Sequence, residues 1–164
     1  MEYPLFRIVC PKDEKPRVKA NWAPNLRTSV HGCIDNDGRL TTSQKDRANG
    51  ETFCKFLEAV AVQNSEYQVF MMFIDRATYH RSKRVREHIY ELRREGYNFK
   101  LIWLPRYSPD LSPIEQLWRP FKRGIHNRII NTKEELRLAV SAEIDVLSMK
   151  SKGFLSNYFP ILFG

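Results

Sequence analysis

Two carboxylates stand where a chain could use them. Asp75 closes an apolar run, Val69-Phe70-Met71-Met72-Phe73-Ile74, and Glu115 follows the stretch Leu104-Pro105-Arg106-Tyr107-Ser108-Pro109-Asp110-Leu111-Ser112-Pro113-Ile114. Proline fixes φ and restricts the residue before it, so prolines at 105, 109 and 113 make this connection stiff and of one shape. A rigid loop aiming a carboxylate at the end of a strand suits a metal site. The same residues also suit the start of a helix. Ser112 and Glu115 have the spacing of a capping box, Pro113 falls at the favoured first position, and Ile114, Leu117, Trp118 and Phe121 form a core-facing stripe. Ligation and capping are compatible.

The elements around these acids can be read from periodicity. Residues 5–10 form a short strand ended by Pro11, followed by a charged turn that holds Asp13 and Glu14. Residues 26–34 and 39–42 read as strands flanking Asn36-Asp37-Gly38, a strong hairpin signal that makes Asp35 and Asp37 turn residues rather than ligands. A helix over 49–62 carries Phe53, Phe56, Leu57 and Val60 on one face. The run 69–74 suits a central strand covered on both faces. A helix over 82–95 buries Val85, Ile89 and Leu92 and stops at Gly96; a strand at 99–104 follows. Strand, helix and strand make a β-α-β unit, whose parallel strands end at one sheet edge, where open α/β sheets place their sites. Asp75 and the loop to Glu115 both leave from that edge. The Glu115 helix should reach about Gly124, with Pro120 kinking it or ending it early. Thr132 and Glu135 open a further helix with Leu136, Val140, Ile144 and Leu147 as its stripe, and residues 154–163 are apolar and aromatic. The fold class is α/β: a ribonuclease H-like mixed sheet, an antiparallel three-stranded start followed by a parallel β-α-β unit, flanked by helices.

Composition fits one globular domain. The chain has 164 residues, of which 42% are hydrophobic, enough for a real core. A formal charge of +8 favours a polyanionic partner, chiefly nucleic acid. No apolar stretch approaches the roughly 20 residues of a membrane span, so no membrane partner is expected. Residues 1–4 show no secretion signal, and Cys10, Cys33 and Cys54 are too far apart for a disulfide framework or zinc site, which together point to an intracellular protein with reduced thiols.

The stretch from Leu104 to Trp118, with Lys122 four positions on, resembles the third-acid motif of mariner-like and related bacterial insertion-sequence transposases, Ser112 standing where that family usually has Asn. Asp75-Arg76-Ala77-Thr78-Tyr79-His80 resembles the second-acid motif, Asp-Asn-Ala-x-x-His, with Arg76 in place of Asn, and the 40 positions between Asp75 and Glu115 suit the family. The Trp22-Ala23-Pro24 loop, the hairpin and the Phe53–Leu57 helix also fall where the family has such elements.

The resemblance implies a DDE-type catalytic domain that cuts and joins DNA strands in transposition. Asp75 is then the second acid and Glu115 the third, and two Mg²⁺ or Mn²⁺ ions are held between three carboxylates. His80 is the motif histidine, an orienter of Asp75 or a phosphate contact. For the first acid two readings stand. The family's position falls near Ile8 and Val9, whereas Asp13-Glu14 supplies the acidic pair nine residues before Trp22. Either the intervening loop is shortened and Asp13 is the ligand, or the first acid is missing. The partners implied are transposon ends and target DNA, contacted electrostatically by Arg81, Lys83, Arg84 and Arg86 and by Arg119, Lys122 and Arg123; the competing reading of each charge run is a solvated helix face. Strand exchange joins two ends, which implies a homodimer. The domain reading is a catalytic unit over 1–150 and an apolar tail over 151–164, without the family's helix-turn-helix domain. The rival functions are a non-catalytic remnant that keeps DNA binding or self-association, and a ribonuclease H-like nuclease unrelated to transposition.

Overall fold

The computed structural model describes residues 26–106 and 111–151. The expected strand at 5–10, Asp13, the Trp22 loop, the tip of the Pro-rich connection and the tail from 152 lie outside the described residues.

Strand β1 (Ser29–Ile34) pairs antiparallel with β2 (Leu40–Lys45), Ser29 opposite Lys45 and Ile34 opposite Leu40. The Asp35 carboxylate closes the turn by accepting the amides of Asp37 and Arg39 at 3.0 and 2.8 Å, and Gly38 takes a φ of +77° that a side chain would resist. Asp35 and Asp37 are therefore turn residues. Helix α1 (Gly50–Gln63) starts with a reciprocal cap between Asn49 and Thr52, two residues that satisfy each other's backbone amides at 2.9 Å. Strand β3 (Val69–Ile74) and β4 (Asn98–Trp103) pair in parallel around helix α2 (Lys83–Arg94), which Ser82 caps and Gly96, at φ +99°, follows. The β-α-β unit has the expected strands and pairing.

Among the described residues the strands form two two-stranded sheets, with no described strand between β1 and β3; the strand expected at 5–10 lies outside them, so the single mixed sheet stands as an expectation. The pairs are joined instead through α1, whose Phe53, Phe56 and Leu57 pack with Cys33 from β1 and Phe70 and Met72 from β3. Their relative sense is fixed at both ends. Arg39, before β2, reaches Glu66, before β3, at 3.5 Å, and Gly50, after β2, abuts Ser82, after β3. So β2 and β3 run the same way. One expectation needs correction: β3 was expected to be covered on both faces. Phe70, Met72 and Ile74 face the core, but Val69, Met71 and Phe73 are exposed, since α1 and α2 occupy one side of the pair and no described element occupies the other.

Helices α3 (Pro113–His126) and α4 (Lys133–Ser151) form a second core behind the hairpin, where Leu117, Phe121 and Ile125 meet Leu136, Val140 and Leu147 over Val30, Ile34 and Leu40. Pro120 does not end α3 early, and the helix runs to His126, close to the end expected near Gly124. The proline sits on the exposed side, and the burial of Phe121 and Ile125 beyond it outweighs one lost backbone hydrogen bond. At β1 the helix comes unusually close: a Cβ on Gly32 would lie 2.7 Å from Trp118 Cζ2 and 3.6 Å from Ile114 Cδ1. Only glycine lets the first turns of α3 lie flat on this strand.

Candidate active site

Asp75 is the first residue past β3, and its side chain is 68% exposed. Its Oδ1 accepts the Ala77 amide at 3.0 Å, an Asx-turn, and lies 2.9 Å from Nδ1 of His80, off the line of a straight hydrogen bond. Both contacts fall on one oxygen. Oδ2 has no protein partner among the described residues, so the carboxylate is held from one side and presented from the other. His80 belongs to a 3-10 turn, Thr78–Arg81, and is buried with its ring 4.3 Å from both Phe53 and Tyr79. Burial lowers its pKa and Asp75 opposes that shift without cancelling it, so the imidazole is neutral at pH 7. Burial, reinforced by the Asp75 charge, raises the Tyr79 phenol, which also stays neutral. His80 is thus a neutral imidazole lying 2.9 Å from Asp75 Oδ1.

Behind His80 lies a second imidazole that sequence reasoning did not single out. His31, buried on β1, packs its ring 5.8 Å from Phe53 and 6.0 Å from Tyr79. Its Nε2 is 3.0 Å from Thr52 Oγ1. That hydroxyl also accepts the Asn49 amide at 2.9 Å and lies 3.1 Å from the Arg47 and Asn49 carbonyls, which ties the imidazole to the start of α1. Burial lowers the His31 pKa, with the nearby His80 and Lys45 adding to it. An isolated histidine inside a strand gives no signal of such a role in the sequence.

Arg76, which departs from the motif, has a place of its own. Its Nε donates to the Leu104 carbonyl at 3.0 Å, and the Leu104 amide reaches the Ile74 carbonyl at 2.9 Å. The ends of β3 and β4 are thereby tied together at the point where the Pro-rich connection departs. Glu115 lies at the far side of that connection, in the first turn of α3. The expected Ser112–Glu115 capping box is not formed. Ser112 makes no side-chain cap, and its carbonyl alone accepts the Glu115 amide at 3.0 Å. The Glu115 carboxylate has no hydrogen bond or ion pair among the described residues, so it is not committed to the helix start.

The acids were expected to converge on a three-carboxylate metal site. Asp75 and Glu115 each offer an uncommitted hard oxygen, which fits a divalent cation, but among the described residues no group of three potential ligands is assembled. Asp13 is outside them. The expected basic residues are exposed, yet they are not equivalent. Lys83 pairs with Glu87 at 3.5 Å and Arg84 with Glu51 at 3.9 Å, so α2 presents mixed charge rather than a bare cationic face. Arg81, Arg86, Lys122 and Arg123 have no ion pair among the described residues.

With this geometry in view, residues 5–137 match the DDE superfamily endonuclease family, and the chain belongs to it. Among solved structures, the chain is similar to the Mos1 transposase in its paired-end complex with the left transposon end, with 15% identity and a TM-score of 0.60. The likeness covers 93% of this chain and 49% of that one, so the chain spans about half the length of that transposase. It supports the mixed α/β fold. No curated protein matches the chain. Among the described residues, no helix is long and apolar enough to cross a membrane.

Proposed function

We propose that this chain is the catalytic domain of a transposase, cutting and joining DNA strands with Asp75, Glu115 and Asp13 as ligands for two Mg²⁺ or Mn²⁺ ions. The observation that carries the reading is the state of Asp75: one oxygen accepts the Ala77 amide and lies 2.9 Å from His80, the other has no partner among the described residues, and Arg76 ties its strand end to the connection leading to Glu115. Bound metal would supply Lewis acidity, activating water or a 3′-hydroxyl and stabilising the leaving oxygen. The chain's own part is positional. Asp75 is pre-oriented before metal arrives, which lowers the cost of binding. Glu115, Arg119, Lys122 and His126 follow one another at i, i+4, i+7 and i+11, one face of α3, so a phosphate backbone can track along the helix from the acid. Arg123 borders that face. Arg81 and Arg86 extend the cationic surface, whereas Lys83 and Arg84 would have to exchange a carboxylate for a phosphate. Binding of this kind is electrostatic and falls steeply with salt. The similarity to a transposase complexed with a transposon end supports DNA as the partner.

A second reading, a non-catalytic remnant that binds DNA or self-associates, is favoured by one observation: Ile8 and Val9 stand where the family places its first acid. A Mn²⁺-dependent nicking assay on supercoiled DNA separates the two. The enzyme reading expects nicking that disappears in Asp75→Ala and Glu115→Ala. Cleavage insensitive to metal or to both substitutions would overturn it, and DNA binding without any cleavage would leave the remnant.

A further inference from the structure

Helix α4 is apolar on two sides. Leu136, Val140 and Leu147 fill the core behind the hairpin, but Leu138, Ala142, Val146 and Met149 lie along the opposite side, at the i, i+4, i+8, i+11 spacing of a second helical stripe. Leu138 is 69% exposed and Met149 is 78% exposed, and Ile129, exposed in the α3–α4 turn, extends the patch. Beside it lies a hollow of about 370 Å³ lined by Ile129, Ile130, Leu138, Ala139 and Ala142 together with the charged Arg128 and Glu135. An amphipathic surface helix needs one such stripe. A second marks a contact surface.

The pattern of the stripe selects its occupant. Taking Ala142 as centre, Leu138 lies four positions before and Val146 four after; Glu135 lies seven before and Met149 seven after, with Lys150 next to it. The spacing is therefore symmetric about Ala142, and the charges at its two ends are opposite. We propose that α4 pairs antiparallel with α4 of a second copy of this chain, crossing at Ala142. A two-fold axis there makes the contact self-complementary, as an isologous interface requires. Small Ala142 meets its mate and lets the helices approach closely. Leu138 meets Val146 of the second copy, and the flexible Met149 of each copy enters the other's hollow. Lys150 of each copy then lies beside Glu135 of the other. Asp145 and its mate fall about 9 Å apart along the axis, at 1.5 Å rise per residue, so the like charges do not meet. The pairing leaves Asp75 and Glu115 out of the contact and stands independently of the proposed function.

The test is the solution mass of the full chain across a roughly hundredfold concentration range, by sedimentation or light scattering. The expected result is a reversible monomer–dimer equilibrium. Leu138→Glu with Met149→Glu, both on exposed sites, should weaken it by at least about a hundredfold while leaving the circular dichroism unchanged. Ala142→Cys should give a covalent dimer under mild oxidation far faster than the unsubstituted chain, and faster than Leu138→Cys, whose two copies would lie about 12 Å apart along the axis. A monomer at every concentration would overturn the proposal, and would point to the chain's own tail or another segment covering the stripe. So would a dimer unaffected by the two glutamates, or Leu138→Cys crosslinking as fast as Ala142→Cys.

Discussion

Gly32 couples the fold to the proposed site, and Gly32→Ala tests that coupling. A methyl group there would stand 2.7 and 2.9 Å from Cζ2 and Cη2 of Trp118. To restore an ordinary contact of 3.4 Å, the indole must retreat by at least 0.7 Å. It cannot swing freely, since its ring is 5.1 Å from that of Phe121 and the neighbouring Leu117 is buried. Overpacking of this kind costs about 1–3 kcal/mol, which in a domain of this length lowers Tm by about 2–12 °C. The displacement is borne by the first turns of α3, one turn from Glu115, and a misplacement near 1 Å costs about a hundredfold in rate. Thermal unfolding and DNA nicking should therefore both fall, the second more steeply. Trp118→Phe removes the ring edge that clashes. In a double-mutant cycle the pair should be less damaging than the sum of the singles by at least about 1 kcal/mol. Strict additivity, or Gly32→Ala within about 0.5 kcal/mol of the parent, would refute the reasoning.

Three further outcomes are expected. Arg76→Ala, losing the bond to the Leu104 carbonyl, should cost only about 0.5–1.5 kcal/mol of stability yet speed proteolysis between residues 104 and 112. His80→Phe keeps the packing against Phe53 and Tyr79 but removes the polar contact to Asp75; Mn²⁺ titration should show a loss of affinity of about ten- to a hundredfold at nearly unchanged Tm. Because the His31 pKa is lowered on folding, the unfolded chain takes up its proton first. Its contribution is full above about pH 6.5 and declines as pH falls from there toward the folded-state value, so His31→Gln should flatten the acid limb of a denaturation-versus-pH profile.

Much of the fold was legible because local rules and tertiary packing agree. The apolar run of β3, the Asp-Gly hairpin and the Ser82 and Gly96 boundaries of α2 lie where periodicity and turn chemistry put them. Half of the Thr132–Glu135 box is present: Thr132 accepts the Glu135 amide at 3.1 Å, but the Glu135 carboxylate accepts the Asn131 amide at 2.7 Å rather than that of Thr132, a shift of one residue that spacing does not encode. Pro120 misled for the opposite reason. Its local penalty is real, but Phe121 and Ile125 are buried beyond it and tertiary contact prevails. Ser112 and Glu115 match a capping box in sequence, yet the same spacing serves a helix start whose acid stays uncommitted. Asp75 was legible as a strand end. Its partners were so only in part: His80 came from a motif, while Arg76 had been read as a departure and His31 carried no pattern. The exposed side of β3 and the second stripe of α4 depend on which elements lie nearby, which hydrophobicity alone does not state.

The most direct measurement of the central claim replaces Mg²⁺ with Fe²⁺ and maps where ascorbate-driven hydroxyl radicals cut the polypeptide, since backbone scission is confined to the neighbourhood of bound iron. If Asp75, Glu115 and Asp13 share a metal site, cuts should cluster near residues 75, 115 and 13, be suppressed by excess Mg²⁺ and vanish in Asp75→Ala. Cuts near 75 and 115 that omit 13 would leave the pair standing and remove Asp13. Scission elsewhere, or none, would contradict the site.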